Sequence, residues 1–177
     1  MKSKKSIHLN IHYPLKIIGA GRDRTTIHGG GFRIQGTREE GKRVDMQGMT
    51  MKGSRGGGLV ARNGLSFLCK DMTFTQCSWN GVYALNTKGR LINCVITQCG
   101  WSGISCRQNA LIELEGDQTK IDGNVTSGDS GCYGLRTLYT SSIIHLLYPL
   151  TKESVSTNNH EDRNSGDGGT IETIHSF

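Results

Sequence analysis

Thr75-Gln76-Cys77-Ser78-Trp79-Asn80-Gly81 returns 22 positions later as Thr97-Gln98-Cys99-Gly100-Trp101-Ser102-Gly103. The segment leading into that motif recurs along the chain. It reads Thr26-Ile27-His28-Gly29, Thr50-Met51-Lys52-Gly53, Thr73-Phe74-Thr75-Gln76, Val95-Ile96-Thr97-Gln98, Lys120-Ile121-Asp122-Gly123 and, more loosely, Ser154-Val155-Ser156-Thr157, at intervals of about 22–25 residues. A fixed period of this size marks a solenoid, whose repeats bury their apolar faces only against their neighbours.

A second ladder runs in phase with the first. After a glycine comes a short alternating strand: Phe32-Arg33-Ile34, Leu59-Val60-Ala61, Val82-Tyr83-Ala84, Ile104-Ser105-Cys106 and Leu135-Arg136-Thr137. Alternation sends the first and third members to one face and the middle one to the other. The inward columns are then Phe32, Leu59, Val82, Ile104, Leu135 and Ile34, Ala61, Ala84, Cys106, Thr137, nearly all apolar. A third strand per coil fits residues 15–18, 44–46, 67–69, 91–93, 111–114 and 143–146. No amphipathic stretch of helical period competes with these strands. The predicted architecture is one all-β domain over residues 1–177, a parallel β-helix of about seven coils with three short strands each. Longer loops are expected at 115–132 and 158–169, the second polar enough to predict that it does not pack.

Composition agrees. The 177 residues include 25 Gly but only 2 Pro, which suits many tight turns rather than disorder. No apolar run approaches the roughly 18 residues of a membrane helix, so no membrane partner is expected. The basic start, Met1 to Ser6, is not followed by the apolar stretch of a signal peptide. The expectation is a soluble, intracellular protein, unless the chain begins further upstream. In that setting the six cysteines, which lack metal-type spacing, are expected as packed thiols. Cys77 and Cys99, about one strand spacing (roughly 4.8 Å) apart, are the pair that a disulfide could join. Charge is uneven. Residues 1–70 carry 14 Lys and Arg against 4 acids (+10), and residues 71–177 carry 7 against 11 (−4). This asymmetry suits a polyanionic partner at the N-terminal coils or end-to-end self-association.

The stretch Ile18-Gly19-Ala20-Gly21-Arg22-Asp23-Arg24-Thr25-Thr26-Ile27-His28-Gly29 resembles the opening motif of pectin-lyase-like right-handed β-helices. With the repeats behind it, the chain resembles the uncharacterised members of that fold found in algal and protist genomes, over roughly residues 7–175. The resemblance implies the right-handed β-helix and leaves chemistry open, because the fold hosts lyases, hydrolases, esterases, epimerases and binding modules.

Catalytic motifs of those enzymes are not legible. There is no adjacent Asp pair and no Gln-Asp dipeptide. Glu113, Glu115, Asp117, Asp122 and Asp129 form the one acidic concentration, with Glu113 and Glu115 on one strand face; a solvated acidic face is the expectation over a calcium or catalytic site. His160-Glu161-Asp162-Arg163 lies in the second long loop and is expected as a solvated turn. No cofactor or metal is called for.

The outward columns carry the binding expectation. They read Arg33, Val60, Tyr83, Ser105, Arg136 and Gln35, Arg62, Leu85, Arg107, Leu138, with Trp79 and Trp101 just before the same strands in consecutive coils. Guanidinium forks take carboxylates and sulfates, and aromatic faces stack on sugar rings. The candidate site is therefore Arg33, Arg62, Trp79, Tyr83, Trp101, Arg107 and Arg136. The function expected is a non-catalytic scaffold whose exposed sheet binds an acidic polysaccharide or another protein. A lyase or epimerase acting on an acidic polysaccharide is the alternative. Nucleic acid is disfavoured because the basic residues do not form a run.

Overall fold

In the computed structural model, which describes residues 7–166 and 168–175, the chain winds into a right-handed parallel β-helix of about seven turns. Coil one holds β1 (Ile7–Ile11), β2 (Lys16–Ile18) and β3 (Thr26–His28). Coil two holds β4 (Gly30–Gly36), β5 (Arg43–Gln47) and β6 (Thr50–Lys52), and coil three β7 (Leu59–Gly64), β8 (Ser66–Lys70) and β9 (Thr73–Thr75). Coil four holds β10 (Val82–Leu85), β11 (Lys88–Ile92) and β12 (Val95–Thr97), and coil five β13 (Ile104–Arg107), β14 (Leu111–Glu115) and β15 (Lys120–Asp122). Coil six holds β16 (Leu135–Leu138), β17 (Ile143–Leu147), the helical turn α1 (Lys152–Val155) and β18 (Ser156–Thr157), and coil seven β19 (Arg163–Gly166) and β20 (Thr170–Ile174). The strands stack coil on coil into three parallel sheets of seven, seven and six strands. No helix among the described residues is long and apolar enough to cross a membrane.

The register matches the two sequence ladders. Phe32, Leu59, Val82, Ile104 and Leu135 pair in line, as do Ile34, Ala61, Ala84, Cys106 and Thr137. Met51, Phe74, Ile96 and Ile121 form the matching inward column of the third sheet. All these residues are buried, in one continuous core. Each large apolar side chain so removed from water contributes about 1.5–3 kcal/mol. In the second sheet the inward column passes from Phe67 to Gly89, where a Cβ would lie 2.1 Å from the Phe67 ring. The ring takes the space that the glycine leaves.

Each coil must turn three corners, and the sequence provides for this at the end of each strand. The residue after the third-sheet strand is left-handed in six coils: Gly29, Gly53, Gln76, Gln98, Gly123 and Asn158, with φ between 54° and 72°. In the first five coils the corner residue is the fourth member of the recurring tetrad, and in coil six it is Asn158, one residue past Thr157. Gly, Asn and, here, Gln fill it because a single left-handed residue reverses the strand's course.

The corner nearest the C-terminal coils is held by asparagines. Cys99 N–H donates to Asn124 Oδ1 (3.0 Å), and Asn124 Nδ2 donates to the Ile96 carbonyl (2.9 Å). One coil on, Asn124 N–H donates to Asn159 Oδ1 (2.8 Å), and Asn159 Nδ2 to the Ile121 carbonyl (2.9 Å). Side-chain amides replace backbone pairs where the chain leaves the strand, satisfying groups that would otherwise be stranded.

The structure departs from the sequence reading in three places. Ser154 and Val155 belong to α1 rather than to a strand; Thr151 and Ser154 exchange bonds in a capping box, and only Ser156–Thr157 pairs with β15. The 158–169 stretch is not wholly a loop. Its 163–166 segment is β19, paired in register with β16, because a parallel ladder satisfies the backbone whatever the side chains are. Strands β1 and β20 extend the first and second sheets beyond the repeats read from sequence.

All six cysteines are buried free thiols. Burial pushes the Cys94 thiol up to about 12 and holds Cys69 and Cys106 well above the usual thiol range. The Cys77 and Cys99 thiols hydrogen-bond each other across adjacent coils, which lowers Cys77 and raises Cys99.

Asn124→Ala is expected to destabilise the fold by about 2–4 kcal/mol, since it strands the Cys99 N–H and the Ile96 carbonyl. Urea unfolding followed by circular dichroism measures this; a loss below about 1 kcal/mol would contradict the role given to the amide.

Candidate ligand-binding face

The outward side of the first sheet carries the residues that the sequence singles out. Register places Arg33, Val60, Tyr83, Ser105 and Arg136 in one outward column, and Gln35, Arg62, Leu85, Arg107 and Leu138 in the next. The in-register stack does the positioning. Equivalent residues of successive coils sit one strand spacing apart, about 4.8 Å, so short motifs become rows.

The Trp79 and Trp101 rings stack with centroids 5.3 Å apart and planes within 10° of parallel. The backbone sets this up, with Trp79 N–H donating to Gly56 O (3.1 Å) and Trp101 N–H to Trp79 O (3.2 Å). The loop after Asn124 supports the corner from below: the N–H groups of Val125, Thr126 and Ser127 donate to the carbonyls of Trp101, Cys99 and Gly100. Both rings stay open to solvent, Trp79 at 48% and Trp101 at 39%. That exposure is far above what core packing leaves.

Beside the tryptophans, the guanidinium groups of Arg62 and Arg107 reach from coils three and five onto the Tyr83 ring of coil four. Their Cζ atoms lie 5.3 and 5.7 Å from its centroid. The ring's negative face attracts each cation, yet two like charges around one ring also repel. Among the described residues no carboxylate forms a salt bridge with Arg33, Arg62, Arg107 or Arg136. The Nε groups of Arg33, Arg107 and Arg136 and the Ser105 hydroxyl are buried without a hydrogen-bond partner there.

Six of the seven candidate residues converge. Arg33, Arg62, Trp79, Tyr83, Trp101 and Arg107 line one cavity of about 220 Å³, together with His8, Gly57, Val60 and Asn80. Arg136 does not line it; it stands one coil further on, next to Ser105. Sequence reading missed His8 and Asn80. Asn80 lies inside the Trp-Asn-Gly motif, and His8 precedes Leu9 in β1, a strand outside the recognised repeat. The His8 imidazole is held below the usual histidine range, first by burial and then by the Arg33 charge, against a hydrogen bond to the Gly57 backbone that works the other way.

The acidic concentration lies elsewhere and is divided, with Glu113 and Glu115 on the second sheet and Asp122 on the third. On the second sheet Arg90 binds Glu115 (2.6 Å) and faces Glu113 (4.0 Å), while His145 contacts Glu172 (3.3 Å). These exposed pairs sit on a different face from the tryptophans. Among the described residues no three His, Cys, Asp or Glu side chains gather as a metal site. The 160–163 cluster is a bonded corner that runs into β19: Asp162 Oδ1 accepts from Asn159, and Arg163, the first residue of the strand, pairs with Glu153 (3.3 Å).

No family model matches the chain, and neither the curated proteins nor the solved structures give a match.

The stacked indoles should couple in the near-ultraviolet circular dichroism spectrum. Trp101→Ala is expected to abolish that couplet and to cost only about 1–2 kcal/mol, because the ring is half-exposed. A couplet that survives in the variant would show that the rings are not stacked in solution.

Proposed function

We propose that the first sheet is a carbohydrate-binding face for an acidic glycan, and that it binds without catalysing. The observation that carries the reading is the union of an exposed tryptophan stack with arginines that lack carboxylate partners, in one cavity. Apolar faces of sugar rings and anionic substituents are the two features that such a wall can recognise together. The neighbouring coils extend the face along the solenoid axis, with Arg136 beyond the cavity, so that a chain of sugars can follow it. Among the described residues no carboxylate lines the cavity. This favours binding over the alternative of a lyase or epimerase, since polysaccharide chemistry on this fold would call for paired carboxylates or a cation site at the same place. The 18–29 motif supports grouping the chain with pectin-lyase-like β-helices, a fold in which binding modules occur beside enzymes.

Isothermal titration with uronic-acid and sulfated oligosaccharides tests the proposal. Trp79→Ala combined with Trp101→Ala is expected to weaken binding at least tenfold, about 1.4 kcal/mol, with the fold intact. Raising salt from 50 to 500 mM should weaken wild-type binding as well, because the arginine contribution is screened. Unchanged affinity in the double variant would overturn the proposal.

A further inference from the structure

The tryptophan stack is open at one end. With the coils aligned on Gly58, Gly81 and Gly103, Trp79 is followed in coil five by Trp101 and preceded in coil three by Gly56. The aromatic column therefore stops at bare backbone. At the next position Gly57 lines the cavity, where coils four and five carry Asn80 and Ser102. A Cβ on Gly57 would lie 2.8 Å from Val60 Cγ2 and 3.3 Å from the Asn80 carbonyl oxygen, so a side chain there would crowd the floor.

The opposite end is closed by coil one. His8 pairs with Gly31, in the column that continues as the glycines before Leu59, Val82, Ile104 and Leu135. It carries a side chain where coils two to six carry glycine, and it reaches over Gly31 to the Gly57 backbone. The slot thus has Gly57 as its floor, Trp79 at one end, His8 and Arg33 at the other, and Arg62, Tyr83 and Arg107 along the side. Its 220 Å³ equals about seven waters at roughly 30 Å³ each. That is below the roughly 300–1,000 Å³ of sites that enclose a drug-sized ligand. That size suits one ring, with the rest of a chain lying outside the slot.

We infer that this slot is a subsite for a single sugar ring bearing a carboxylate or sulfate, stacked on Trp79 above Gly57 with its acid group between Arg33 and His8, and that His8 takes up a proton on binding. The inference rests on the glycan reading above. Its physics follows from the surroundings of His8. Burial and Arg33 disfavour the imidazolium in the free protein. The other charged or titratable groups of the cavity, among the described residues, are Arg62, Tyr83 and Arg107, with no carboxylate among them. An anion placed against Arg33 reverses the local field, and the imidazolium then becomes the favoured form. Since binding raises the affinity of His8 for a proton, affinity for the anion must rise as pH falls through the histidine range, and level off above it. Arginine stays charged, and a uronate stays ionised above about pH 5.

The test is calorimetry of the full chain at pH 5.5 and 8.0, with a uronic-acid tetrasaccharide, its methyl ester and a sulfated tetrasaccharide as probes. Wild type is expected to bind an anionic probe about fivefold more tightly at pH 5.5, with proton uptake visible as a dependence of the heat on the buffer. The ester should bind weakly at both values, and whichever of uronate and sulfate responds identifies the acid group. His8→Gln, whatever its affinity at pH 8.0, should show no gain at pH 5.5 and no dependence of the heat on the buffer. Equal wild-type affinity at the two pH values, or a gain retained in His8→Gln, overturns the inference while leaving the glycan reading standing. Absence of binding to every probe at both pH values overturns both.

Discussion

In-register parallel stacking is the constraint on which everything else depends. Once the backbone of each coil pairs with the next, equivalent residues are forced into columns about 4.8 Å apart, and every column must be chemically self-compatible. Inside, this yields the continuous core that runs through Phe32, Leu59, Val82, Ile104 and Leu135. At the corners it demands a left-handed residue in each coil and amides such as Asn124 and Asn159 where the ladder is interrupted. Outside, the same rule turns isolated residues into a surface: two tryptophans 22 positions apart become a stack, and Arg62 and Arg107 meet across Tyr83.

The outward faces are not equivalent. On the second sheet, cations and carboxylates are paired, as in Arg90 with Glu115 and His145 with Glu172, and such exposed pairs contribute little beyond solubility. On the first sheet, among the described residues, Arg33, Arg62, Arg107 and Arg136 form no salt bridge, and the Nε groups of three of them are buried without partners. Stability alone gives no reason to gather such groups around exposed tryptophans, whereas the proposed anionic ligand would. The bare glycine floor at Gly57 belongs to the same pattern, since backbone alone lets a ring approach.

The architecture was legible because a solenoid writes its structure locally. The Thr75–Gly81 and Thr97–Gly103 copies fix the period, and alternation in Val82-Tyr83-Ala84 fixes which side chains face out. What the sequence hid was set by pairing rather than by side-chain pattern. Strand β19 carries the polar residues Arg163 to Gly166 and is a strand because β16 offers its edge. Conversely, Ser154 and Val155 read as strand but turn into α1, since the Thr151–Ser154 capping box competes locally. The cavity was half-legible: its arginines and aromatics follow from the columns, whereas His8 enters from a coil outside the visible repeat and Gly57 contributes by having no side chain. The Cys77–Cys99 contact was foreseeable from equivalent positions, and the thiols stay unjoined.

The central claim is that the first-sheet face, and no other, meets the anionic sugar. Nuclear magnetic resonance during titration with a uronic-acid tetrasaccharide addresses it directly through the indole N–H signals of Trp79 and Trp101 and the guanidinium Nε–H signals of Arg33, Arg62 and Arg107. The account requires these five to shift together and saturate at one stoichiometry, with Arg90 on the second sheet unmoved. Shifts centred on Arg90, Glu113 and His145, with the tryptophan signals unchanged, would contradict it.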